Sequence, residues 1–181
     1  MRLRWVAAAA ILLVGTGCYM KTKNQFLESP AAANLALPYA ANRVTVSDFR
    51  VGISTSPLVV TGMSRRGEQK IQPLLTPDHE QLLTEETRKN FQSGPTVDVE
   101  IRILKGEQRL LSRWVSQKES GDCEVEVRLT DSESGKSRGS ARGAVQAEMQ
   151  SPSASTEYSD KLYRATLRDS LLKALTALNK L

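Results

Sequence analysis

Two segments of strict alternation constrain the fold of this chain more than any other feature. In residues 97–103, valine and isoleucine alternate with charged residues, and residues 123–129 repeat the pattern with cysteine, valine and leucine. A period of two places all the apolar side chains on one face of a β-strand. Each segment therefore predicts a strand with one buried face and one face in water, which is typical of an antiparallel sheet.

The residues between and after these segments predict turns and further strands. Lys105-Gly106 and 119–122 (ESGD) have the composition of turns, so residues 109–116 form a strand between them. A third turn at 131–136 leads to a strand at 141–149, whose inward face carries mostly small residues. Small side chains there would let a helix approach the sheet closely.

An earlier strand begins near residue 43. Its apolar residues alternate as far as Val46 and then continue one residue out of phase from Phe49. Either a bulge at Asp48 explains the slip, or Asp48 is a ligand-binding carboxylate. The bulge is the simpler interpretation, because bulges are ordinary where alternation slips.

Residues 52–75 give no firm prediction of conformation. Residues 53–62 could form a short extra strand, and the basic stretch 63–70 after them is typical of a loop or of the end of a hairpin. Arg65, Arg66 and Lys70 could contact a protein partner or lipid phosphates, or they could belong to an ordinary solvated surface.

Two helices are well marked. Thr76 predicts an N-cap and Pro77 the first helical position, so the first helix runs from 77 to 92 and ends before Gly94-Pro95. In the second helix, apolar residues recur at intervals of three and four from 163 to 181. Such a helix covers the apolar face of a sheet, although the same pattern could serve a partner or a membrane surface.

The predicted order is β–α–β–β–β–β–α, with a possible extra strand in 53–62. This order predicts an α+β fold of two layers, an antiparallel sheet with helices packed on one face. Residues 43–181 form a single domain. Residues 18–42 contain two prolines and no sustained period, so they are predicted to be a tether. Four apolar residues of this segment could instead dock on the domain: Phe26, Leu27, Leu35 and Leu37.

The N-terminus has the organisation of an export signal. Arg2 and Arg4 precede nine apolar residues at 6–14, and small residues at 15–17 precede Cys18. Nine helical residues extend about 14 Å, under half of a hydrocarbon core of about 30 Å, so this segment is too short to cross a bilayer.

The sequence Gly15-Thr16-Gly17-Cys18 resembles the lipobox of bacterial lipoproteins, with Gly15 standing where leucine is commonest. The resemblance implies that residues 1–17 are removed as a signal peptide and that Cys18 carries lipid. Tyr19 is not the aspartate that commonly retains lipoproteins at the inner membrane, so the resemblance implies a lipid anchor in the outer membrane, with the domain facing the periplasm. The alternative is a secreted protein in which Cys18 is incidental.

The whole chain resembles small periplasmic lipoproteins of the YajG type. The resemblance lies in the order of elements and in the segments VTVSDFR, LLTPDHEQLL, VDVEIRI and CEVEVRLTDSESGK. The resemblance implies the same α+β domain, but it assigns no binding residue in this sequence.

Composition and charge exclude one class of partner. The formal net charge of +5 falls to about +3 without Arg2 and Arg4, a mild excess. The nine aromatic residues are spread through the chain, whereas a nucleic-acid-binding surface would interleave them with a basic stripe. We therefore expect no nucleic acid partner.

The sequence contains no recognisable catalytic set. His79 is the only histidine, and Cys123 lies on a predicted buried face, where a thiol behaves as a small hydrophobe. Ser170 and Lys173 have serine–lysine spacing but belong to the leucine-patterned helix. One histidine without a cysteine cluster argues against a metal site, and no cofactor motif is present. We therefore expect neither an enzyme nor a bound metal or cofactor.

Two functions fit these expectations. The first is an adaptor that binds another envelope protein through an exposed sheet edge or the basic loop. The alternative is a carrier or sensor that holds a lipid or other apolar ligand between sheet and helix. The adaptor is preferred because it needs only a surface, whereas a carrier needs a cavity. The partner, the ligand and the oligomeric state are left open.

Overall fold

The computed structural model describes residues 34–53, 67–112, 117–151 and 156–180. The elements in chain order are β1 Ala40–Asp48, β2 Gly67–Ile71, α1 Pro77–Asn90, β3 Thr96–Ser112, β4 Gln117–Asp131, β5 Ser137–Ser151 and α2 Thr156–Leu178.

The predicted α+β class is confirmed. The strands form one five-stranded sheet in the order β1-β3-β4-β5, and β2 pairs with β3 along the same side as β1. β1 is parallel to β3, and all other pairs are antiparallel. Both helices pack against the sheet, and their buried residues share one hydrophobic core with β3 and β4.

Strand β3 is longer than the sequence predicts, because no turn interrupts it at Lys105-Gly106. Gly106 lies inside the strand, opposite Cys123. The register shifts between Ile103 and Lys105, and this one extra residue moves the buried positions from odd to even numbers. The predicted turn is therefore wrong, and the change of phase is a bulge in a continuous strand.

Strand β4 runs through the second predicted turn in the same way. Gly121 lies inside β4, opposite Gln108, so the turn predicted at 119–122 is also wrong. Every odd-numbered position of β4 from Gln117 to Leu129 is buried. Three long strands therefore replace the four that were predicted, and the turn at 131–136 between β4 and β5 is confirmed.

A short strand precedes the first helix where a loop was expected. β2, with the sequence GEQKI, pairs with the end of β3 from Gly67 opposite Ser112 to Ile71 opposite Gln108. Its polar composition explains why no strand pattern was visible. The extra strand considered for 53–62 falls, from residue 54 onward, outside the described residues.

Helix α1 begins as predicted. The Thr76 side chain accepts a hydrogen bond from the His79 amide, and Pro77 occupies the first turn. The helix ends at Asn90 rather than at residue 92.

The last part of the predicted tether belongs to the fold. Leu37 is fully buried; its amide donates to the Asn90 carbonyl (2.9 Å), and its own carbonyl accepts from the Gln92 amide (3.1 Å). Leu35 packs against the same core. The folded unit therefore begins before residue 43, because these leucines dock at the end of α1.

Helix α2 is a core helix, as its spacing predicts. Six of its described residues are completely buried: Thr166, Leu167, Ser170, Leu171, Ala174 and Leu175. It rests on three inward-facing glycines of adjacent strands. A Cβ atom on Gly143 would overlap the backbone of α2, one on Gly121 would lie 2.7 Å from the Thr166 hydroxyl, and one on Gly106 would lie 2.6 Å from the Tyr163 hydroxyl.

The outer face of the sheet carries ion pairs in place of apolar residues. Glu126 is almost completely buried beneath three arginines, which lie 3.6, 2.8 and 3.1 Å from its carboxylate: Arg102, Arg128 and Arg142. Burial alone would raise the pKa of Glu126, but the hydrogen bonds and charges of Arg128 and Arg142 hold it below its usual range. The sheet is therefore charged on its outer face, and the hydrophobic core lies on its helix-covered face.

Candidate functional site

Of the four site residues proposed from the sequence, the structure places only Lys70. Cys18, Arg65 and Arg66 lie outside the described residues. Lys70 is in β2, opposite Arg109 of β3. Its Nζ lies 2.7 Å from the Glu107 carboxylate, so Lys70 is a paired cation at the sheet surface.

The Lys70–Glu107 ion pair lowers the pKa of Glu107. Burial alone would raise the pKa of Glu107, but the hydrogen bond and charge of Lys70, with Lys105 and Arg109 nearby, lower it. Glu107 is thus ionised at neutral pH and fixes the Lys70 ammonium. Whether Lys70 contacts a partner or a lipid phosphate remains a prediction.

Three large apolar side chains are exposed in the segments that follow β1 and β2. Phe49, Val51 and Leu74 are 48, 85 and 55 % exposed, and we call them the apolar strip. The Gln72 side chain donates to the Val51 carbonyl (3.0 Å), which joins the two segments of the strip. The Arg102 guanidinium lies 4.0 Å above the Phe49 ring, a cation–π contact that keeps this ring on the outer face of the sheet.

The apolar strip is held in place by the buried residue between two of its members. Arg50 binds both carboxylate oxygens of Asp48, at 2.8 Å through Nε and 2.6 Å through Nη2. Burial would raise the pKa of Asp48, but the Arg50 bonds outweigh it and lower that pKa. Asp48 is therefore the last residue of β1 and an anchor for Arg50. The bulge predicted at Asp48 is wrong, because the register of β1 shifts earlier, between Ala41 and Val44.

Arg50 also reaches the centre of the molecule. Its Nη1 donates to the Gly106 carbonyl (3.0 Å) and to the Tyr163 hydroxyl (2.9 Å). Gly106 leaves the space that both side chains need. The loop after β1, the bulged strand β3 and helix α2 are thus joined at one buried guanidinium.

His79 is buried with both ring nitrogens engaged. Nδ1 accepts from the Thr76 amide (3.2 Å), so Nε2 carries the hydrogen that it donates to Asp160 (3.2 Å). Burial lowers the pKa of His79, and Asp160 only partly opposes this. The ring also meets Tyr163 edge-on at 5.2 Å. His79 therefore acts as a neutral link between the starts of α1 and α2.

Cys123 lies on the buried face, as predicted, and is completely buried. Burial raises the pKa of its thiol far above the usual range. It therefore packs as a neutral side chain, and its backbone carbonyl accepts a hydrogen bond from Ser170 (3.0 Å).

The inner face of the sheet has two halves of different chemistry. The apolar half comprises Val97–Ile103 of β3 and Cys123–Leu129 of β4, all of whose inward residues are apolar. The polar half comprises Gly106–Ser112 and Gln117–Gly121, and four of its buried side chains are polar: Gln108, Ser112, Gln117 and Glu119.

Glu119 is the most unusual group of the polar half. It is 2 % exposed and accepts a hydrogen bond from the Ser159 hydroxyl of α2 (2.6 Å) on one oxygen. Its other oxygen, Oε1, has no hydrogen-bond partner among the described residues. Burial raises the pKa of Glu119, and the Ser159 bond only partly compensates. Sequence reasoning missed this group because it lies in the segment interpreted as a turn.

The described residues form neither a metal-binding cluster nor a membrane-spanning helix. Within the described ranges, no three His, Cys, Asp or Glu side chains converge as a metal site would require. In the same part of the chain, no helix is both long enough and apolar enough to cross a bilayer.

The space between β5 and α2 bears on the carrier alternative. Small residues on β5 could have left room for an acyl chain. At Gly143, however, the Ser170 carbonyl and the Ala174 amide of α2 lie so close that even one added carbon would overlap them. Sheet and helix are in direct contact at this level.

Comparison with known proteins gives distant likenesses only. Neither known families nor curated proteins match the chain. Among solved structures, a Xanthomonas campestris protein of the family DUF330 has 13 % identity and a TM-score of 0.39, covering 83 % of this chain and 86 % of its own. A suspected lipoprotein from Caulobacter crescentus has 16 % identity and a TM-score of 0.33, covering 59 % and 78 % respectively. At these scores neither likeness bears on function.

Proposed function

We propose that this protein is a lipid-anchored lipoprotein of the bacterial envelope that acts as a non-enzymatic adaptor, binding another envelope protein. The anchor is Cys18, in the outer membrane, with the folded domain in the periplasm. The proposal for the anchor is supported by the lipobox resemblance. The proposal for binding is supported by the apolar strip.

The apolar strip is the observation that carries the adaptor proposal. Val51 is 85 % exposed, yet the neighbouring Arg50 is one of the most firmly held side chains in the molecule. A rigid base under exposed apolar side chains is what a binding surface requires, because little side-chain and backbone entropy is lost on association.

The surroundings of the strip indicate the chemistry of its partner. Lys70 lies on the same side of β3 as the strip, and residues 54–66, which include Arg65 and Arg66, connect the strip to β2. Exposed apolar side chains, with Lys70 on the same side of β3 and two arginines in the adjoining sequence, would suit a protein surface with an apolar centre and an acidic rim.

Site-specific photo-crosslinking in cells tests the binding proposal. A photoreactive amino acid replaces Val51 in the full-length chain, and a matched control replaces Glu133, an exposed residue of the β4–β5 turn. We expect one recurrent protein adduct at position 51, none at 133, and loss of the adduct with Arg65→Glu and Arg66→Glu. A lipid adduct at 51 without any recurrent protein would overturn the adaptor proposal.

The anchor is tested separately. Cells supplied with labelled palmitate are fractionated after expression of the full-length chain and of its Cys18→Ser variant. We expect label and outer-membrane association in the first and loss of both in the second. Equal membrane association of the two chains would contradict a lipid anchor at Cys18.

A further inference from the structure

The long strand β5 has one open edge. β5 pairs with β4 over nearly its whole length, and no other strand in the described part of the chain pairs with its far side. Unpaired strand edges present rows of backbone donors and acceptors to solvent. We propose that this edge pairs with β5 of a second copy of the chain, antiparallel, about a two-fold axis at Val145. The proposal is independent of the adaptor function.

A hydrogen bond identifies which backbone groups face the open edge. The exposed Lys173 of α2 donates from Nζ to the Ala144 carbonyl (3.2 Å). An exposed lysine reaches a carbonyl at the rim of the sheet and not one inside the ladder. Since alternate residues of a strand point their amide groups the same way, the even-numbered residues of β5 direct theirs to the open edge.

The charges on the outer face select one register. Arg102, Glu126 and Arg142 lie directly opposite one another on β3, β4 and β5. They form a row of alternating sign across the sheet, with separations of 3.6 and 3.1 Å. The row ends in a positive charge at the open edge, so the next strand should supply a negative charge at that position.

A two-fold axis at Val145 supplies that charge. Residues equidistant from the axis face each other, so Arg142 lies opposite Glu148 of the second copy, and Glu148 opposite its Arg142. Both side chains are more than half exposed, with present contacts to Glu124, Glu126 and Lys118 at the surface. In this register the even-numbered residues exchange backbone hydrogen bonds, and the two half-buried Val145 side chains meet on the inner face.

Two other registers fit less well. An axis at Ala144 would place Arg142 opposite the neutral Gln146 of the second copy. An axis at Gly143 would place Arg138 opposite Glu148 of the second copy and Arg142 opposite Ala144. Arg138 is already held by Asp131 through two nitrogens, so its charge is largely satisfied. That register would also leave the row of Arg102, Glu126 and Arg142 without its next negative charge.

Lys173 competes with the pairing, because it occupies a carbonyl that the second copy needs. Its removal should therefore strengthen association.

Lipid anchoring of both copies is compatible with the proposed dimer. A two-fold axis normal to the sheet leaves every atom and its symmetry mate at the same position along that axis. The first described residues of the two copies therefore lie at the same level, so both lipid anchors can enter one membrane.

Disulfide trapping tests the register in the full-length chain, in isolated membranes with a mild oxidant. Val145→Cys places one thiol on the axis, where opposite residues have Cβ atoms about 5 Å apart. Ser140→Cys is a matched control on the same strand, because its two copies would be ten residues apart, about 33 Å. We expect a dimer band with Val145→Cys alone. An equal band with both variants, or with neither, would overturn the proposal.

Charge reversal tests the pairing itself, by sedimentation of the detergent-solubilised chain. Arg142→Glu or Glu148→Arg alone should weaken dimerisation about tenfold, since each places two like-charge pairs across the axis. The double variant should restore it, although it does not restore the contacts of Arg142 within one copy. A monomeric wild-type chain, or a double variant as weak as the singles, would overturn the proposal. Lys173→Ala should associate at least as tightly as the wild type.

Discussion

The apolar half and the polar half of the inner face lie on the same strands and beneath the same helix, yet they are filled differently. In the apolar half, β-branched residues of β3 and β4 meet leucines of α2. In the polar half, glycines admit Tyr163 and Thr166, and Gln108 and Glu119 bond to α2. Strand alternation specifies which residues are buried but not what holds them there, because hydrogen bonds can replace apolar contacts.

The polar half lies at the edge of the sheet where the terminal residues of β2, β3, β4 and β5 are paired. Gly67, Ser112, Gln117 and Ser151 lie side by side there. Glu119 has one carboxylate oxygen without a hydrogen-bond partner among the described residues, so we expect this half to be the less stable one. The following four predictions test the contrast, from the largest effect to the smallest.

Gly143→Ala should disrupt the close contact between β5 and helix α2, the helix that covers both halves. Its Cβ would overlap backbone atoms of α2, which cannot rotate away, so we expect the free energy of unfolding to fall by about 3 kcal/mol or more. Gly67→Ala is the control, because nothing lies within 4 Å of its added carbon. Urea unfolding measures both, and a tolerated Gly143→Ala would contradict the close approach of α2.

Leucine truncations compare the two halves directly. Leu171 belongs to the large core cluster, whereas Leu162 forms a small cluster with Ala147 and Met149 among the described buried residues. We expect Leu171→Ala to lower the free energy of unfolding by about 3 kcal/mol and Leu162→Ala by about 2 kcal/mol. Equal losses in urea unfolding would show that the two halves are packed equally well.

Glu119→Gln should stabilise the protein at neutral pH. Because the folded-state pKa of Glu119 is raised, its contribution is present below the unfolded pKa, about 4.3, and is lost as pH rises through the folded value. Glutamine avoids that loss, so we expect a gain on the order of 1 kcal/mol at pH 7 that disappears below pH 4.

The control for this prediction is Glu133→Gln, in an exposed turn. It should leave stability unchanged across the same pH range. A loss of stability in Glu119→Gln at pH 7 would indicate that the carboxylate has a partner that neutral glutamine cannot replace.

His79 gives the smallest effect. Its folded-state pKa is lowered, so stability is constant above about pH 6.5 and falls as pH drops toward the folded value, by at most about 1.4 kcal/mol per pH unit. As the only histidine, its ring signals can be followed by NMR. Asp160→Asn removes a group that raises the pKa, so it should lower the value further. A pKa at or above 6.5 would contradict the neutral buried ring.

Much of the apolar half could be predicted from the sequence, and little of the polar half could. Alternation in 97–103 and 123–129 and the leucine spacing of α2 both report burial directly. Gly106 and Gly121 were interpreted as turns because a glycine beside polar residues is typical of one. Only the positions of Tyr163 and Thr166, far along the chain, explain why these glycines lie inside strands.

The candidate site was less predictable still. Lys70 was identified from its charge, but its pairing with Glu107 depends on a strand register that the polar sequence of β2 does not indicate. Arg50, between two exposed apolar residues, carried no signal of burial. Its anchoring role depends on Tyr163, 113 positions away.

Helix α2 follows every described strand of the sheet along the chain, and this order constrains how the domain can fold. β1 must find β3 across some fifty residues, and the apolar half stays uncovered until Leu167–Leu178 is available. During folding, the inner face of the sheet therefore stays uncovered until α2 packs on it. Long-range pairings form slowly and uncovered strands aggregate, so we expect the chain to be most prone to aggregation in this interval.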